Sequence, residues 1–404
     1  MPYAATDFII SKSKKIMKTL IELYDERPIE NVLASEVFRP ETTVFLCPAA
    51  IAQDKALQKK MRDYYSHMKL PCKLVFLESS MYDSSKLLRQ LQKVEDEYPE
   101  CVLDITGGTD AALFACGMLC EKNGTSAFTY SRKRECFFEI HNAPFANELP
   151  CTVTHKVEDC FMMAGGALRK GRVDNKILSS YIDTFDKFFS CYLRYRAEWN
   201  KAVKYIQVVS QNARGTSSLT VNTAKKVKGE RGTMIDAPIE LLRELEKIGY
   251  IKQLKVEGEK VSFSFKDQQI RTWLRDIGSV LELYVYKACL ESDAFNDVVT
   301  SAVVDWDADA KSDAVTNEID VMAMMGIVPV FISCKTCDVT TEALNELAIL
   351  RDRFGGNSAK AAIVTTKTCR GITRHRASEL GIDVIDLNDL KSGRIKEAIA
   401  SVIT

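Results

Sequence analysis

One stretch, Glu318–Lys335, limits what this chain can fold into more than any other. It reads E-I-D-V-M-A-M-M-G-I-V-P-V-F-I-S-C-K, two runs of apolar and β-branched residues on either side of Met325-Gly326. Two such runs around a short turn that contains glycine predict a β-hairpin. A turn at Met325-Gly326 places Asp320 opposite Phe331 on the neighbouring strand.

One face of this hairpin combines charges with polar oxygen atoms. Because side chains alternate along a strand, four polar residues share a face: Glu318, Asp320, Ser333 and Lys335. The other face is a core surface made of Ile319, Val321, Ala323, Val330, Ile332 and Cys334. Unpaired charge is costly to bury, whereas a divalent metal ion held by oxygen ligands beside a lysine explains such a cluster. The alternative is a solvent-facing hairpin with a chance salt bridge.

The hairpin resembles the core of PD-(D/E)XK nucleases, in which an acid on one strand precedes an acid-X-lysine triplet on the next. Asp320 takes the first position and Lys335 the last, and Ser333 stands where the second acid is expected. These nucleases often carry a metal-binding glutamate on the preceding helix, and Glu282 matches it within a helical pattern over residues 270–290. The alternative for Glu282 is a surface pair with Lys287.

This resemblance implies metal-dependent phosphodiester hydrolysis with Mg²⁺ or Mn²⁺. The implied catalytic residues are Glu282, Asp320, Ser333 and Lys335. The implied metal ligands are Glu282, Asp320 and the carbonyl oxygen of Cys334. Because serine offers only a neutral oxygen, either Glu318 or Glu346 is a candidate for the missing carboxylate. The sequence leaves open which of the two it is.

Residues 19–140 alternate between strand and helix. Strands are predicted at 20–24, 43–47, 73–77 and 102–106, with helices between them and a hairpin at 127–140. Alternation of this kind predicts a parallel sheet with helices on both faces, which binds ligands beyond the carboxyl ends of its strands. The loops that meet there contain the candidate ligand-binding residues: Asp25, Glu26, Arg27, Pro28, Asn31, Cys47, Pro48, Thr106, Gly107, Gly108, Thr109 and Asp110.

The last of these loops, L-D-I-T-G-G-T, joins a strand to a helix. Its glycines let a ligand approach the backbone, and the helix N-terminus offers amide donors to an anion. The motif, with D-E-R-P-I-E-N after the first strand, resembles a CARF domain, the Rossmann-like sensor of type III CRISPR systems. The resemblance implies a cyclic oligoadenylate ligand, with cyclic tetra-adenylate favoured, and a homodimer around it. Asp110 departs from the lysine often found there.

Between these parts, residues 146–265 read as a connector. Its first half is mainly helical, and its second half is an amphipathic helix followed by a hairpin, which resembles a winged-helix module. Such modules bind DNA or serve as spacers, and we favour the spacer. The fold class is therefore α/β, with an extension at 1–18, a CARF-like domain at 19–145, this connector, and a PD-(D/E)XK nuclease domain at 266–404.

Composition excludes several classes of protein. The 404 residues have no net charge, so contacts with nucleic acid must be local. The 13 cysteines and 4 histidines lack paired zinc-ligand spacing and favour a reducing cytoplasm. No apolar run reaches membrane-spanning length, so no membrane partner is expected.

The two ends together resemble the CRISPR ancillary nucleases that fuse a CARF sensor to a restriction-endonuclease-like domain. The hairpin followed by L-N-E-L-A-I-L-R-D-R-F-G-G carries this resemblance at the C-terminal end. It implies a nuclease that acts on DNA and/or RNA after activation by a cyclic oligoadenylate. Two alternatives stay open: a ligand-responsive DNA-binding regulator with an inactive nuclease domain, and a ring nuclease that degrades the messenger.

Overall fold

The computed structural model describes residues 17–170, 178–211, 218–229, 232–307 and 316–402. Its contacts group the chain into two compact units. The first comprises Met1–Ala167, Trp306–Ala314 and Phe354–Ser358, and the second comprises Leu168–Asp305, Val315–Arg353 and Ala359–Thr404. Most of the predicted N-terminal extension, 1–18, lies outside the described residues. The four-part division predicted from the sequence stays a prediction, since the two units are a geometrical grouping.

The first unit is built on a seven-stranded sheet with the order β3-β2-β1-β4-β5-β6-β7. Its strands are β1 (Thr19–Leu23), β2 (Thr42–Cys47), β3 (Lys73–Glu78), β4 (Cys101–Asp104), β5 (Ser126–Ser131), β6 (Cys136–His141) and β7 (Leu149–Pro150). Pairing is parallel from β3 through β5 and antiparallel for β6 and β7. This Rossmann-like strand order confirms the predicted sheet.

Six α-helices accompany this sheet: α1 (Leu33–Phe38), α2 (Ala49–Gln53), α3 (Lys55–His67), α4 (Ser84–Glu97), α5 (Asp110–Asn123) and α6 (Val157–Met163). Three of these helices have N-terminal caps. The side-chain oxygens of Asp54, Asp83 and Thr109 accept hydrogen bonds from backbone N–H groups at the starts of α3, α4 and α5. The first unit contains two buried hydrophobic clusters. In one, side chains of β1 and β2 pack against α4 and α5, and in the other Phe45 packs against Tyr64 and Tyr65.

The second unit begins with the connector elements. Helices α7 (Ile182–Tyr195), α8 (Trp199–Gln211) and α9 (Ile239–Lys247) accompany a three-stranded sheet with the order β12-β13-β9. Its strands are β9 (Thr220–Ala224), β12 (Ile251–Glu257) and β13 (Lys260–Phe265), and β10 (Lys226–Lys228) pairs with β11 (Met234–Asp236). A helix followed by a hairpin agrees with the predicted winged-helix-like segment.

The C-terminal sheet has six strands in the order β18-β17-β16-β15-β14-β8. They are β8 (Ala167–Lys170), β14 (Asp297–Asp305), β15 (Thr316–Met325), β16 (Val328–Lys335), β17 (Lys360–Thr365) and β18 (Ile382–Ile385). The helices are α10 (Gln268–Trp273), α11 (Ser279–Leu290), α12 (Thr341–Gly355), α13 (Gly371–Glu379), α14 (Leu387–Ser392) and α15 (Ile395–Val402). The single helical pattern predicted over 270–290 is wrong, because residues between α10 and α11 interrupt it. No helix in the described residues is both long and apolar enough to cross a membrane.

Candidate active site and ligand loops

The hairpin β15–β16 carries the polar face, in a register that differs from the predicted one. Met325 pairs with Val328, so the two-residue loop is Gly326-Ile327, and Gly326 adopts a φ of 58°. Such a loop needs a positive φ at its first central residue, which glycine supplies without strain. The predicted pairing of Asp320 with Phe331 is therefore wrong. Each pairing shifts by two positions, so the same side chains still share a face.

Asp320 is the centre of this face. Its Oδ2 atom accepts a hydrogen bond from Ser333 Oγ at 3.1 Å and from the Cys334 backbone N–H at 2.6 Å. Lys335 Nζ lies 3.9 Å from the same oxygen, and the two side chains are 33% and 19% exposed. The structure thus brings together three of the four predicted catalytic residues, Asp320, Ser333 and Lys335. The hydrogen bonds fix the carboxylate of Asp320, and the ammonium group of Lys335 stays accessible. The Cys334 side chain itself is buried in the core.

Glu282 lies in the first turn of α11 and is half-buried. Burial and, after it, the negative charges of Asp320, Asp276 and Glu318 raise the pKa of its carboxyl to about 8, against the opposing effect of Lys335. Lys287, the alternative partner, is buried and makes salt bridges with Asp186 and Glu291 instead. Glu282 therefore belongs electrostatically to the Asp320 site.

An open cleft runs along this face, between the hairpin and α12. Its lining includes Glu318, Asp320, Ser333, Lys335, Glu346, Leu347 and Leu350. Both candidates for the missing carboxylate, Glu318 and Glu346, thus border the same cleft. Glu346 is exposed and accepts a hydrogen bond from Asn317 Nδ2 at 3.3 Å.

The donor set suits a hard divalent cation. Carboxylates gather around a partly desolvated position, and their mutual repulsion favours protonation unless a cation offsets it. In the described part of the chain, no group of three or more His, Cys, Asp or Glu side chains is arranged to hold a metal ion by itself. Water or substrate oxygens would complete the coordination, as is usual for Mg²⁺.

Asp25 connects two of the loops that are predicted to bind a ligand in the first unit. Arg27 Nε and Nη2 donate to the two oxygens of its carboxylate, each at 2.7 Å, and the Gly108 N–H donates to Oδ2 at 3.2 Å. Burial acts to raise the pKa of Asp25, but the hydrogen bonds and charge of Arg27 outweigh it and hold the pKa below its ordinary value. The carboxylate thus ties the loop after β1 to the glycine loop.

The loop that contains Gly107 and Gly108 packs closely against Leu23 and Asp25. A side chain at Gly107 would meet Asp25 Cβ at 3.0 Å, and one at Gly108, where φ is 94°, would meet Leu23 Cδ1 at 2.8 Å. The loop therefore requires glycine at position 108 and leaves little room for a side chain at position 107. Thr109 Oγ1 accepts the Ala112 N–H at 3.3 Å and caps α5, while Asp110 is exposed at its start.

Some predicted ligand residues point away from this surface. Cys47 is buried, with its Sγ 3.5 Å from the Leu77 carbonyl oxygen, so it can offer a ligand only backbone atoms. Asn31 is buried too, and its side chain bonds the Asp25 backbone N–H at 2.9 Å and the Asp25 carbonyl at 2.7 Å. Both side chains organise the loops, while Glu26 is exposed and Pro48 half-buried.

Asp104 is a residue that sequence reasoning missed. It is buried, and its Oδ1 accepts hydrogen bonds from the backbone N–H of Thr106 at 2.7 Å and from the Thr106 hydroxyl. Thr106 Oγ1 in turn accepts the Tyr130 N–H at 2.8 Å. Burial raises the pKa of Asp104 to about 7. In the sequence, an acidic residue two positions before the T-G-G-T motif was the feature that could have drawn attention to Asp104.

Comparisons with known proteins fit this architecture. Residues 269–403 match the family described as "Card1-like, endonuclease domain". No curated protein matches the chain in sequence.

Two solved structures match nearly the whole chain. Protein VC1899 from Vibrio cholerae is 15% identical with a TM-score of 0.74, over 95% of this chain and 97% of that one. Can2 from Sulfobacillus thermosulfidooxidans, solved in complex with cyclic tetra-adenylate, is 16% identical with a TM-score of 0.69, over 96% and 98%. At this identity the likeness shows the shared fold. The predicted α/β fold is confirmed. The match of residues 269–403 to an endonuclease-domain family identifies this protein as an endonuclease.

Proposed function

We propose that this protein is a metal-dependent endonuclease of type III CRISPR defence that a cyclic oligoadenylate activates in the cytoplasm. The observation that carries the proposal is the cleft lined by Asp320, Ser333 and Lys335, within the residues that match an endonuclease domain. Glu282 interacts electrostatically with Asp320 at this site. The same chain carries a Rossmann-like unit within a fold shared with Can2, which was solved with cyclic tetra-adenylate. That ligand is therefore the favoured activator.

In this proposal Mg²⁺ or Mn²⁺, when bound, activates water and offsets phosphate charge. Asp320 is the first ligand, because the Ser333 hydroxyl and the Cys334 N–H hold its carboxylate in place. Glu282 and the Cys334 carbonyl oxygen are the other protein ligands. Lys335, accessible and close to Asp320, orients the attacking water or stabilises charge that develops on the phosphate. The substrate is DNA and/or RNA.

The ligand site in this proposal is the edge formed by the Asp25–Asn31 loop, Pro48 and the Thr106–Asp110 loop. Arg27 supplies positive charge there, and the start of α5 supplies backbone donors, both of which suit phosphate groups. Exposed Asp110 suits a ribose hydroxyl better than a phosphate, since like charges repel.

The protein is expected to be a homodimer, because a cyclic ligand with rotational symmetry suits two copies of the same loops. Helix α5, which starts at this edge, exposes Phe114 by 65% and Met118 by 41% on one face. Phe114→Glu is expected to convert the dimer to a monomer, measured by light scattering. Met234→Glu, at a residue exposed by 55% in the second unit, is the control and should leave the dimer intact. A wild-type monomer with and without cyclic tetra-adenylate would exclude this assembly.

The function itself is tested by incubating the protein with Mn²⁺ and labelled single- and double-stranded DNA and RNA. Cyclic tetra-adenylate is expected to raise the cleavage rate about 10- to 100-fold, a typical size for coupling between two sites. The controls are linear oligoadenylate and EDTA. Full cleavage without any cyclic oligoadenylate, in protein free of co-purified ligand, would contradict the gating. Metal-independent duplex binding without cleavage would instead favour the regulator, and release of linear oligoadenylate by Lys335→Ala would favour the ring nuclease.

A further inference from the structure

The three-stranded sheet β12-β13-β9 of the second unit has a buried face and a polar face. Side chains of the buried face belong to the hydrophobic core of this unit: Val221, Ile251, Val261, Phe263 and Phe265. Because side chains alternate along a strand, the residues between them point to the opposite side of the sheet. That polar face carries lysine, hydroxyl and amide side chains that reach solvent.

A β-bulge brings two lysines onto the polar face. Lys252 pairs with Ser264 and Lys255 pairs with Ser262, so the lysines are three positions apart where their partners are only two apart. Gln253, which lies between the lysines, has a φ of 56°. In a regular strand, positions three apart would face opposite sides. The extra residue of the bulge places both lysines on the same side.

The polar face repeats the same chemistry in two rows. Each row has a lysine on β12, a serine on β13 and a polar side chain on β9: Lys252, Ser264 and Thr220 in the first, and Lys255, Ser262 and Asn222 in the second. The rows are two residues apart along β13, which corresponds to about 7 Å. Within the first row, Thr220 Oγ1 lies 3.0 Å from Ser264 Oγ. Each row therefore presents an ammonium group beside hydroxyl or amide groups.

The charge of these two lysines is not neutralised within the protein. Both side chains are exposed, and neither Lys252 nor Lys255 forms a salt bridge in the part of the chain that the structure describes. A third row, at the end of the hairpin, pairs Glu257 with Lys260 and adds no net charge. The positive charge of the polar face is therefore concentrated in the first two rows.

Helix α9, which precedes the β12–β13 hairpin, has the opposite character. Arg243 Nη1 lies 2.9 Å from Glu240 Oε1, and Lys247 Nζ lies 2.7 Å from Glu244 Oε1. The helix also carries Glu246, so its acids outnumber its bases. Phosphate groups would be repelled by this excess of carboxylates, since like charges destabilise each other. In this connector, the sheet is a better surface for a polyanion than the helix.

We propose that the polar face of the β12-β13-β9 sheet binds the phosphate backbone of duplex DNA without reading its sequence. Lysine, serine, threonine and asparagine are residue types that contact phosphate oxygens and carry no sequence information by themselves. Proteins that hold single strands stack the bases on aromatic side chains, whereas Phe263 and Phe265 of this sheet point into the core. A duplex, with its bases enclosed and its phosphates outside, suits the polar face better.

This inference goes beyond the proposed function. The residues of the polar face are different from those that line the catalytic cleft, so the surface is a second contact for nucleic acid. It also gives the winged-helix-like segment a role other than that of a spacer.

The test is the double variant Lys252→Ala/Lys255→Ala in the full-length chain. A short fluorescent duplex of DNA is titrated in EDTA at several salt concentrations, which prevents metal-dependent cleavage during the measurement. The Kd at low salt is expected to rise about 10-fold. The slope of log affinity against log salt should become less steep by about 2, because each lost phosphate contact removes roughly 0.9. Two duplexes of unrelated sequence should show the same changes.

Two further variants separate position from total charge. Asn222→Asp keeps the shape of the side chain and adds a negative charge to the second row, so it should also weaken binding. The matched control, Arg243→Ala/Lys247→Ala, removes two cations from α9 of the same connector. It changes the total charge by as much as the double lysine variant, yet it should alter the Kd by less than about 2-fold, because these cations are paired with glutamates.

An unchanged Kd and salt slope in Lys252→Ala/Lys255→Ala would overturn the proposal. A larger loss in the α9 variant would do the same, since the helix would then be the binding element. If the double lysine variant loses affinity only for single-stranded DNA, the assignment to a duplex is wrong. The measurement uses neither metal nor cyclic oligoadenylate, so a wild type that never cleaves would contradict the proposed function and leave this test decisive.

Discussion

Replacing Lys335 with alanine is expected to lower the cleavage rate by about 10²- to 10³-fold, the usual cost of removing a group that stabilises developing charge. Lys335 is one-third exposed and lies 3.9 Å from Asp320 Oδ2. An exposed ion pair contributes only about 0–1 kcal/mol to stability. The melting temperature and the affinity for cyclic tetra-adenylate should therefore stay close to wild type. Single-turnover cleavage and thermal unfolding measure the two effects separately.

The matched control is Lys391→Ala, which removes an exposed lysine from α14 of the same domain and should retain wild-type cleavage. Titration with Mn²⁺ distinguishes the role of Lys335 from that of a metal-binding carboxylate such as Glu282. Higher Mn²⁺ should partly restore Glu282→Gln, because a weakened ligand is offset by mass action, but should not restore Lys335→Ala. Retained cleavage in Lys335→Ala would move the active site elsewhere.

Sequence patterns predicted the order of elements because local chemistry determines it. A helix was predicted between the strands at 73–77 and 102–106, and α4 forms there at Ser84–Glu97. Asp83 caps its start, and its apolar positions recur with helical spacing. The polar face of the hairpin was also predictable, because alternation along a strand survives a two-residue change of register. The turn itself was not, since one-residue differences in loop position depend on which residue adopts the positive φ.

Non-local contacts escaped sequence reasoning for a different reason. Lys287 looked like a helix-surface partner for Glu282, yet it makes a salt bridge with Asp186, which is far away in sequence. Phe354, at the end of α12, likewise makes edge-on ring contacts with Phe161 and Trp306, and no periodicity in the sequence links these residues. Such pairings follow from how elements pack, and a single sequence carries no local sign of them.

The serine at the second acidic position gives the last prediction. Ser333→Asp is expected to lower the Mn²⁺ concentration for half-maximal cleavage about 10-fold, because cation affinity in oxygen-ligand sites rises with the number of charged ligands. Ser333 Oγ already lies 3.1 Å from Asp320 Oδ2, so a carboxylate there would border the same cation position. Without metal, the added like charge should lower the melting temperature, and Mn²⁺ should restore it by preferential binding to the folded state.

Ser378→Asp is the matched control, since it adds the same charge to an exposed position on α13 of the same domain and should change neither quantity. Ser333→Ala separates charge from the hydroxyl: it removes the hydrogen bond to Asp320 without adding a ligand, so the metal requirement should rise slightly. If Ser333→Asp instead needs more Mn²⁺, a carboxylate already supplied by Glu318 or Glu346 fills the third position. Repulsion among four acids would then exceed the gain from the new one.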